Sequence, residues 1–477
     1  MRYRNKSSLI LPLFFGIGFL FCSQSTNPKQ QLNPPGTVQF TEPEITGNFY
    51  FVDPVNGSMD NDGSESKPWK TLQQVFDSNL VESYEFTDHP YTEGTLLQIK
   101  NQGAPVKAGD ALILLNGYHG SIDIRDYQNN DYITIKAKEE HSPEVSFVSI
   151  SSCAYWHVKG LSVSPSFANA FEKKTMAALQ SHNWHGPISH VILNSCSLYS
   201  VTDISSWSAD DWNEKACNGI SVNGDSMYII NNHIKNSNFG LTFSCNKSIA
   251  YGNIIENFCG DGMRGLGNDL IFESNVVKNC YDVNDNHDDG FQSWSINDDP
   301  PRERVVLRGN LIINYEDANQ PLKGTLQGIG CFDGPYVDWV VENNVVIVDH
   351  WHGISFYGAH NCRIINNTVI DPNKTKPGPC WIRITDHKNK TPSTNSVIRN
   401  NIAPSIKVAE GVSEDHNFEI ESFDSVFVDW QAFNLRLIPG APVIDSGSSE
   451  LAPIIDFDGN KRPAGNGIDI GAFEYTQ

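Results

Sequence analysis

A two-part phrase recurs down the middle of this chain and restricts it to one kind of architecture. In outline it reads Gly-Ile-x-φ, then about thirteen residues later Asn-φ-φ, where φ is apolar. The glycine members are Gly219, Gly240, Gly262, Gly290, Gly328 and Gly353. The asparagine members are Asn232, Asn253, Asn275, Asn310, Asn344, Asn367 and Asn401. The first steps, 219 to 240 to 262 and 232 to 253 to 275, are 21 or 22 residues. A unit that short cannot bury its own apolar face, so like units must stack into a solenoid.

Segments inside the units, such as 229–234 and 363–369, have strand period and β-branched content. The recurrent Asn falls between two such strands, where a sharp bend calls for a left-handed residue. Asn tolerates that conformation best after Gly, and Asn side chains stacked coil over coil can hydrogen-bond one another. No leucine-rich, ankyrin or tetratricopeptide pattern is present. The predicted fold is all-β, a single-stranded right-handed parallel β-helix forming one elongated body.

Residues 1–22 have the form of a secretory signal. Arg2, Arg4 and Lys6 precede an apolar run from Leu9 to Phe21 that is too short to span a bilayer. Cys22 closes that run as the acylated cysteine of a bacterial lipoprotein does, although Phe21 stands where a small residue is usual. A plain cleaved signal is the alternative, and both imply export, to the cell envelope or beyond. The expected layout is a linker at 23–47, an N-terminal cap at 48–107, coils at 108–410 and a C-terminal capping segment at 411–477. Caps are expected because both ends of a solenoid expose unpaired strand edges. The acidic loop of Asp53, Asp60 and Asp62 lacks full calcium-loop spacing and reads as a solvated turn.

Nine cysteines follow Cys22, scattered through apolar strands without metal-ligand spacing. They are expected as small buried core residues, with room for one disulfide. The formal charge of −22 excludes a nucleic-acid partner, since no basic stripe is present to neutralise phosphates. A polyanionic glycan would need a local cationic site. A monomer is expected, touching a membrane only through an N-terminal lipid.

Two coils are stretched: Gly262 to Gly290 is 28 residues and Gly290 to Gly328 is 38. The excess falls at 279–289, 314–327 and 297–303, and a further long connection, 197–217, carries Trp207 and Trp212. Loops that bulge from a rigid stack make cleft walls, and these bracket the coil that starts at Gly290. Aligning coils on the glycine brings Asp261, Asp288 and Asp289 together. Three such carboxylates repel and raise one another's pKa unless a cation sits among them, which suits calcium; alternatively some of them cap turns. Outward-facing columns then carry Arg264 and Gln292 beside Trp294, Phe332 and Tyr357. Exposed aromatics next to acid and cation suit a pyranose ring, unless the loops cover them as a satellite core.

The string Asn286-His-Asp-Asp-Gly-Phe-Gln-Ser-Trp294 resembles the calcium-binding coil of polysaccharide lyase family 9 pectate lyases, which read Asp-Asp-Gly-Trp-Asp-Leu-Trp. Asp261-Gly262 is similar to that family's preceding calcium coil, and 48–77, 108–118 and 442–475 resemble the end segments of exported β-helix proteins. The resemblance implies Asp261, Asp288 and Asp289 as calcium ligands, with Gln292 where the family has a fourth Asp. The family's catalytic Lys falls on Gly330. The activity implied is calcium-dependent β-elimination on a uronic acid glycan, which needs a neutralised carboxylate and a base for the C5 proton. Arg264 and calcium would serve the first need. Lys323, on the long loop over Gly330, or else His287, would serve the second. His352 and Arg383, further along the same face, would contact substrate together with Gln292, Trp294, Phe332 and Tyr357. Two other readings stay open: a β-helix glycoside hydrolase using the same acids, and a non-catalytic glycan-binding or adhesin lipoprotein with structural calcium.

Overall fold

A computed structural model describes residues 38–295, 300–373 and 376–476. The signal segment, Cys22 and most of the 23–47 linker lie outside the described residues.

Each repeat supplies three short strands that pass in turn to three different sheets. One coil uses Tyr228–Ile230, His233–Ser237 and Leu241–Phe243, and the next begins at Ile249–Tyr251 alongside Tyr228–Ile230. The result is three long parallel sheets of 13, 12 and 11 strands, a right-handed parallel β-helix. Register is strict because alternate residues must point inward. Ile229, Ala250, Phe272, Leu307, Val341, Ile364 and Ile398 form one inward column, every member buried. The strand Phe49–Val52 opens the 13-stranded sheet, and the helix Leu72–Asp77 packs Leu72, Val75 and Phe76 against the first coils.

The asparagines form a continuous ladder. Each Nδ2 donates to the Oδ1 of the Asn one rung on, from Asn232 through Asn401 to Asn417, at 2.9–3.1 Å. The backbone N–H of each member also donates to that same oxygen, as from Asn275 to Asn310 at 3.0 Å. The left-handed residue is not the ladder Asn, as expected, but the residue before it: Asn231, Gly252, Ser274, Gly309, Asn343, Asn366 and Asn400 have positive φ. The bend is made one position early, so that the ladder side chain can point inward. There it satisfies amides and carbonyls that the corner strips of sheet partners.

All nine cysteines are buried free thiols, so the disulfide allowed for above is not formed. Asp53 Oδ1 accepts from the amides of Val55 and Asn56 in a turn. Beneath the stretched coils the core is aromatic: Phe291 lies 5.1 Å from Phe272 and 6.2 Å from Trp339, which lies 5.4 Å from Phe356. The insertions pack on one another. Trp212, Ala216 and Cys259 form a small core with Trp207, Tyr281, Val283 and Leu322, which draws loops 197–217, 279–289 and 314–327 into one wall.

Candidate functional site

Five neighbouring strands of the 11-stranded sheet make a floor: Met263–Gly265, Asp289–Trp294, Gln327–Asp333, His352–Tyr357 and Trp381–Thr385. Paired register gives one outward column, Thr242, Arg264, Gln292, Gly330, Ser355, Arg383. A groove of about 430 Å³ opens over it, lined by His287, Gln292, Trp294, Gln327, Phe332, Asp333, His352, Tyr357 and Lys388. Phe332 and Tyr357 meet edge to face at 5.4 Å. Trp294 does not join them: the register shifts after Ser293, so Trp294 stands opposite Asp333 rather than Phe332. A bulge of that kind re-aims a side chain, and the three-ring stack expected from regular offsets is broken.

The three acids do converge, but under the floor. Asp261, Asp288 and Asp289 are 3%, 6% and 0% exposed. Asp261 uses both oxygens, one toward Arg264 Nε at 2.5 Å and one accepting the Asp289 amide at 3.0 Å. Asp289 Oδ2 accepts from His287 Nδ1 at 3.0 Å and from Gln292 Nε2 at 3.1 Å. Asp288 turns the other way and accepts from Cys280 Sγ at 3.4 Å. Burial pushes all three carboxyls up, Asp288 to about 8 and Asp289 to about 7. Asp288 Oδ1 and Asp289 Oδ1 have no hydrogen-bond partner.

This arrangement does not fit the calcium set that the resemblance implies. The guanidinium of Arg264 stands at Asp261 where an ion would have to bind. Gln292 turns its amide nitrogen, not its carbonyl, toward Asp289. Among the described residues no three His, Cys, Asp or Glu side chains are grouped so as to hold a metal ion. Gly330 belongs to the same packing, since a Cβ there would lie 2.1 Å from Asp289 Oδ1. A side chain at 330 is incompatible with the carboxylate as placed.

Two histidines face the groove in opposed states. His287, on the edge of the 279–289 loop, is raised by its hydrogen bond to Asp289. Because Nδ1 is turned to that carboxylate, Nε2 is the nitrogen left for the groove. His352 is lowered to about 4, by burial first and then by His350, Arg383 and His287. Its Nδ1 lies 2.9 Å from Ser355 Oγ, which also accepts from Trp381 Nε1 at 3.1 Å. Indole N–H can only donate, which leaves the hydroxyl its own hydrogen and one further lone pair for His352 Nδ1. Burial holds His352 as a neutral imidazole at ordinary pH.

Lys323 is not part of this site. Its ammonium donates to the Ala318 carbonyl and sits 5.0 Å from the Tyr315 ring, outside the groove lining. Arg264 is fixed by Asp261 and lies 3.5 Å over Phe239 and 5.6 Å from Trp294. Arg383 lies one rung beyond Ser355, at 5.6 Å from the Tyr357 ring. Sequence reasoning missed Lys388, which joins Asp333 at 2.7 Å in the groove. It also missed Gln327 as a lining residue. Lys388 stands on a turn after the strand, where no repeat offset points to it, whereas Gln327 immediately precedes Gly328 and stands level with Asp289.

No family model matches this sequence, and no curated protein does either. Among solved structures, pectate lyase Pel9A is similar over 91% of this chain and 98% of its own, at 15% identity and a TM-score of 0.48. A rhamnogalacturonan lyase is similar over 80% and 91%, at 12% identity and a TM-score of 0.45. A lacto-N-biosidase from Eubacterium ramulus is similar over 77% and 68%, at 14% identity and a TM-score of 0.41. The fold rests on the strand registers above, and the chemistry rests on the side chains of this chain.

Proposed function

We propose that this protein is an exported carbohydrate-active enzyme that cleaves a uronic acid polymer by β-elimination in the groove over Gly330. The observation that carries the proposal is the Asp289–His287 pair at the groove edge, facing a neutral His352 across aromatic walls. A carboxylate that holds Nδ1–H of an imidazole leaves Nε2 as a base and raises its basicity. His287 Nε2 takes the C5 proton of the uronate. The electron pair forms the C4–C5 double bond and the C4–O4 bond breaks; the departing O4 takes a proton from solvent water in the open groove and becomes the hydroxyl of the new reducing end, and His287 later returns its proton to solvent. As the proton leaves, charge builds on the substrate carboxylate, and His352, neutral above about pH 4, donates to it in the tautomer that carries hydrogen on Nε2. Phe332 and Tyr357 offer faces for sugar rings.

A calcium ion, which the resemblance implies, would first have to displace Arg264 from Asp261. Hydrolysis by a carboxyl pair finds less support: Asp261, Asp288 and Asp289 are buried, and Asp333 is the one carboxylate lining the groove among the described residues.

The test is incubation with a panel of uronic acid polymers, with and without chelator. Unsaturated product absorbance that survives chelator is the expected result. His287→Ala should lower kcat by roughly 10²–10⁴-fold, and Lys323→Ala should leave it within twofold. Reducing ends without that absorbance would mean hydrolysis, and binding with no product would mean a glycan-binding protein.

A further inference from the structure

We propose that the C-terminal end of the same sheet carries a second sugar subsite, built for a uronate further along the polymer and formed by Arg383, Lys407, Trp381 and Trp351. This rests on the groove acting on an acidic glycan. The strand Ile406–Val408 pairs with Trp381–Thr385, so the outward column continues from Ser355 through Arg383 to Lys407. The two cationic residues therefore stand on neighbouring strands, which lie about 4.8 Å apart along the stack.

Three observations point to an anionic ligand there. First, neither cation is ion-paired among the described residues. Arg264, Arg304, Arg308, Arg399, Arg436 and Arg462 all hold carboxylates. In a chain of net charge −22, two adjacent unneutralised cations on one outward column are a local exception, and like charges opposite one another in a sheet repel. Second, both are set against aromatics. Lys407 Nζ lies 3.9 Å over the Trp381 ring, and the Arg383 guanidinium lies 5.6 Å from both Trp381 and Tyr357. Trp351 runs parallel to Trp381 within 6° at 6.3 Å and is 39% exposed. Third, the subsite joins the reaction groove without a break. Trp381 shares Ser355 Oγ with His352, and its ring meets that of His352 at 5.3 Å. Aromatic faces for the apolar side of a pyranose, with two cations for its carboxylate, select a uronate over a neutral sugar.

At the other end of this sheet the same column reads Asp123, Ser149, Ala178, Ser221, Thr242. Cationic partners for a polyanion are thus concentrated at one end, and the polymer lies from the groove toward Lys407.

The test is affinity electrophoresis of the full chain through gels containing polygalacturonate, or the same polymer with its carboxyls reduced to alcohols. Wild type should be retarded by the first and not by the second, and added salt should weaken the retardation. Lys407→Ala combined with Trp351→Ala should weaken polygalacturonate binding about tenfold. Lys407→Glu should weaken it at least as much; both side chains are exposed, so neither change threatens the fold. Equal retardation of wild type and both variants would overturn the subsite, as would equal retention by the reduced polymer. Because this readout is binding, it stands apart from the lyase assay. Variant-sensitive retardation without unsaturated product would keep the subsite and sink the lyase; product with variant-insensitive retardation would do the reverse.

Discussion

The buried carboxyl of Asp288 offers the sharpest test of how the acid cluster is neutralised. Its ordinary pKa of 3.8 is pushed up to about 8, first by burial and then by Asp261, Asp282 and Asp289. One oxygen has only the Cys280 thiol for company and the other has no hydrogen-bond partner. The native state therefore holds a proton that the unfolded chain releases near pH 4. Native stability is then full below about pH 4, falls as pH rises through the interval, and levels off above about 8. A gap of about 4 units at 1.36 kcal/mol each sets a ceiling of about 5 kcal/mol, and relaxation with water entry brings the working figure to roughly 2–3 kcal/mol. Asp288→Asn is neutral at every pH and removes that slope. Urea midpoints followed by tryptophan fluorescence at pH 5 to 9, in chelator, should show the variant gaining on wild type up to pH 8 and no further. A gap that does not change with pH, or a wild type that stabilises as pH rises, would mean that Asp288 is ionised and paired. Added calcium that stabilised wild type but not Asp288→Asn would refute the account from another side, by restoring the ion.

Two further outcomes follow from the packing. Asn310→Ala, in mid-ladder, strips the partners of the Asn275 amide, the Asn275 side chain and the Phe272 carbonyl, and should cost about 3 kcal/mol in thermal or urea unfolding; Asn417→Ala, at the ladder's end and partly exposed, should cost about 1 kcal/mol. Gly330→Ala drives a methyl into Asp289 Oδ1 and should loosen the Asp289–His287 contact, so an NMR titration of His287 should move to lower pH and turnover should fall together.

How much of this was legible in the sequence depends on whether a feature repeats. The Gly and Asn columns state the coil length, the inward faces and the rung-to-rung asparagine bonds. The excess lengths after Cys280 and Asn314 announce the walls. What fails to repeat was invisible. The bend residue escaped because Asn, Gly and Ser share that position, so no single letter marks it. The Trp294 offset was lost to a bulge that regular spacing cannot foresee. Lys388 enters from a turn outside every column. The polar surroundings of His352 include Trp381 donating to Ser355, a contact between residues 26 apart with no periodic signature. The motif around Gly290 was visible as letters, but its charge state was not, because that depends on which way each carboxyl turns.

Charge arithmetic shows how the acid cluster can approach neutrality with its own side chains. Four ionised carboxylates around a divalent cation leave a net charge of −2 in a closed site. Gln292 adds no charge to the cluster, and Arg264 brings a fixed positive charge to Asp261 at 2.5 Å. Asp288 holds a proton at pH 7, Asp289 at about 7 is half protonated, and Arg264 offsets Asp261, so the cluster lies between −1 and zero before any proton on His287 is counted. A buried cluster that reaches neutrality with its own side chains gives a divalent ion little to gain and a guanidinium to expel. The same balance leaves Asp289 oriented toward His287 rather than toward a metal. Gln292 and Gly330 belong to that packing: the amide donates to Asp289, and the empty Cβ position makes room for the carboxylate that holds His287.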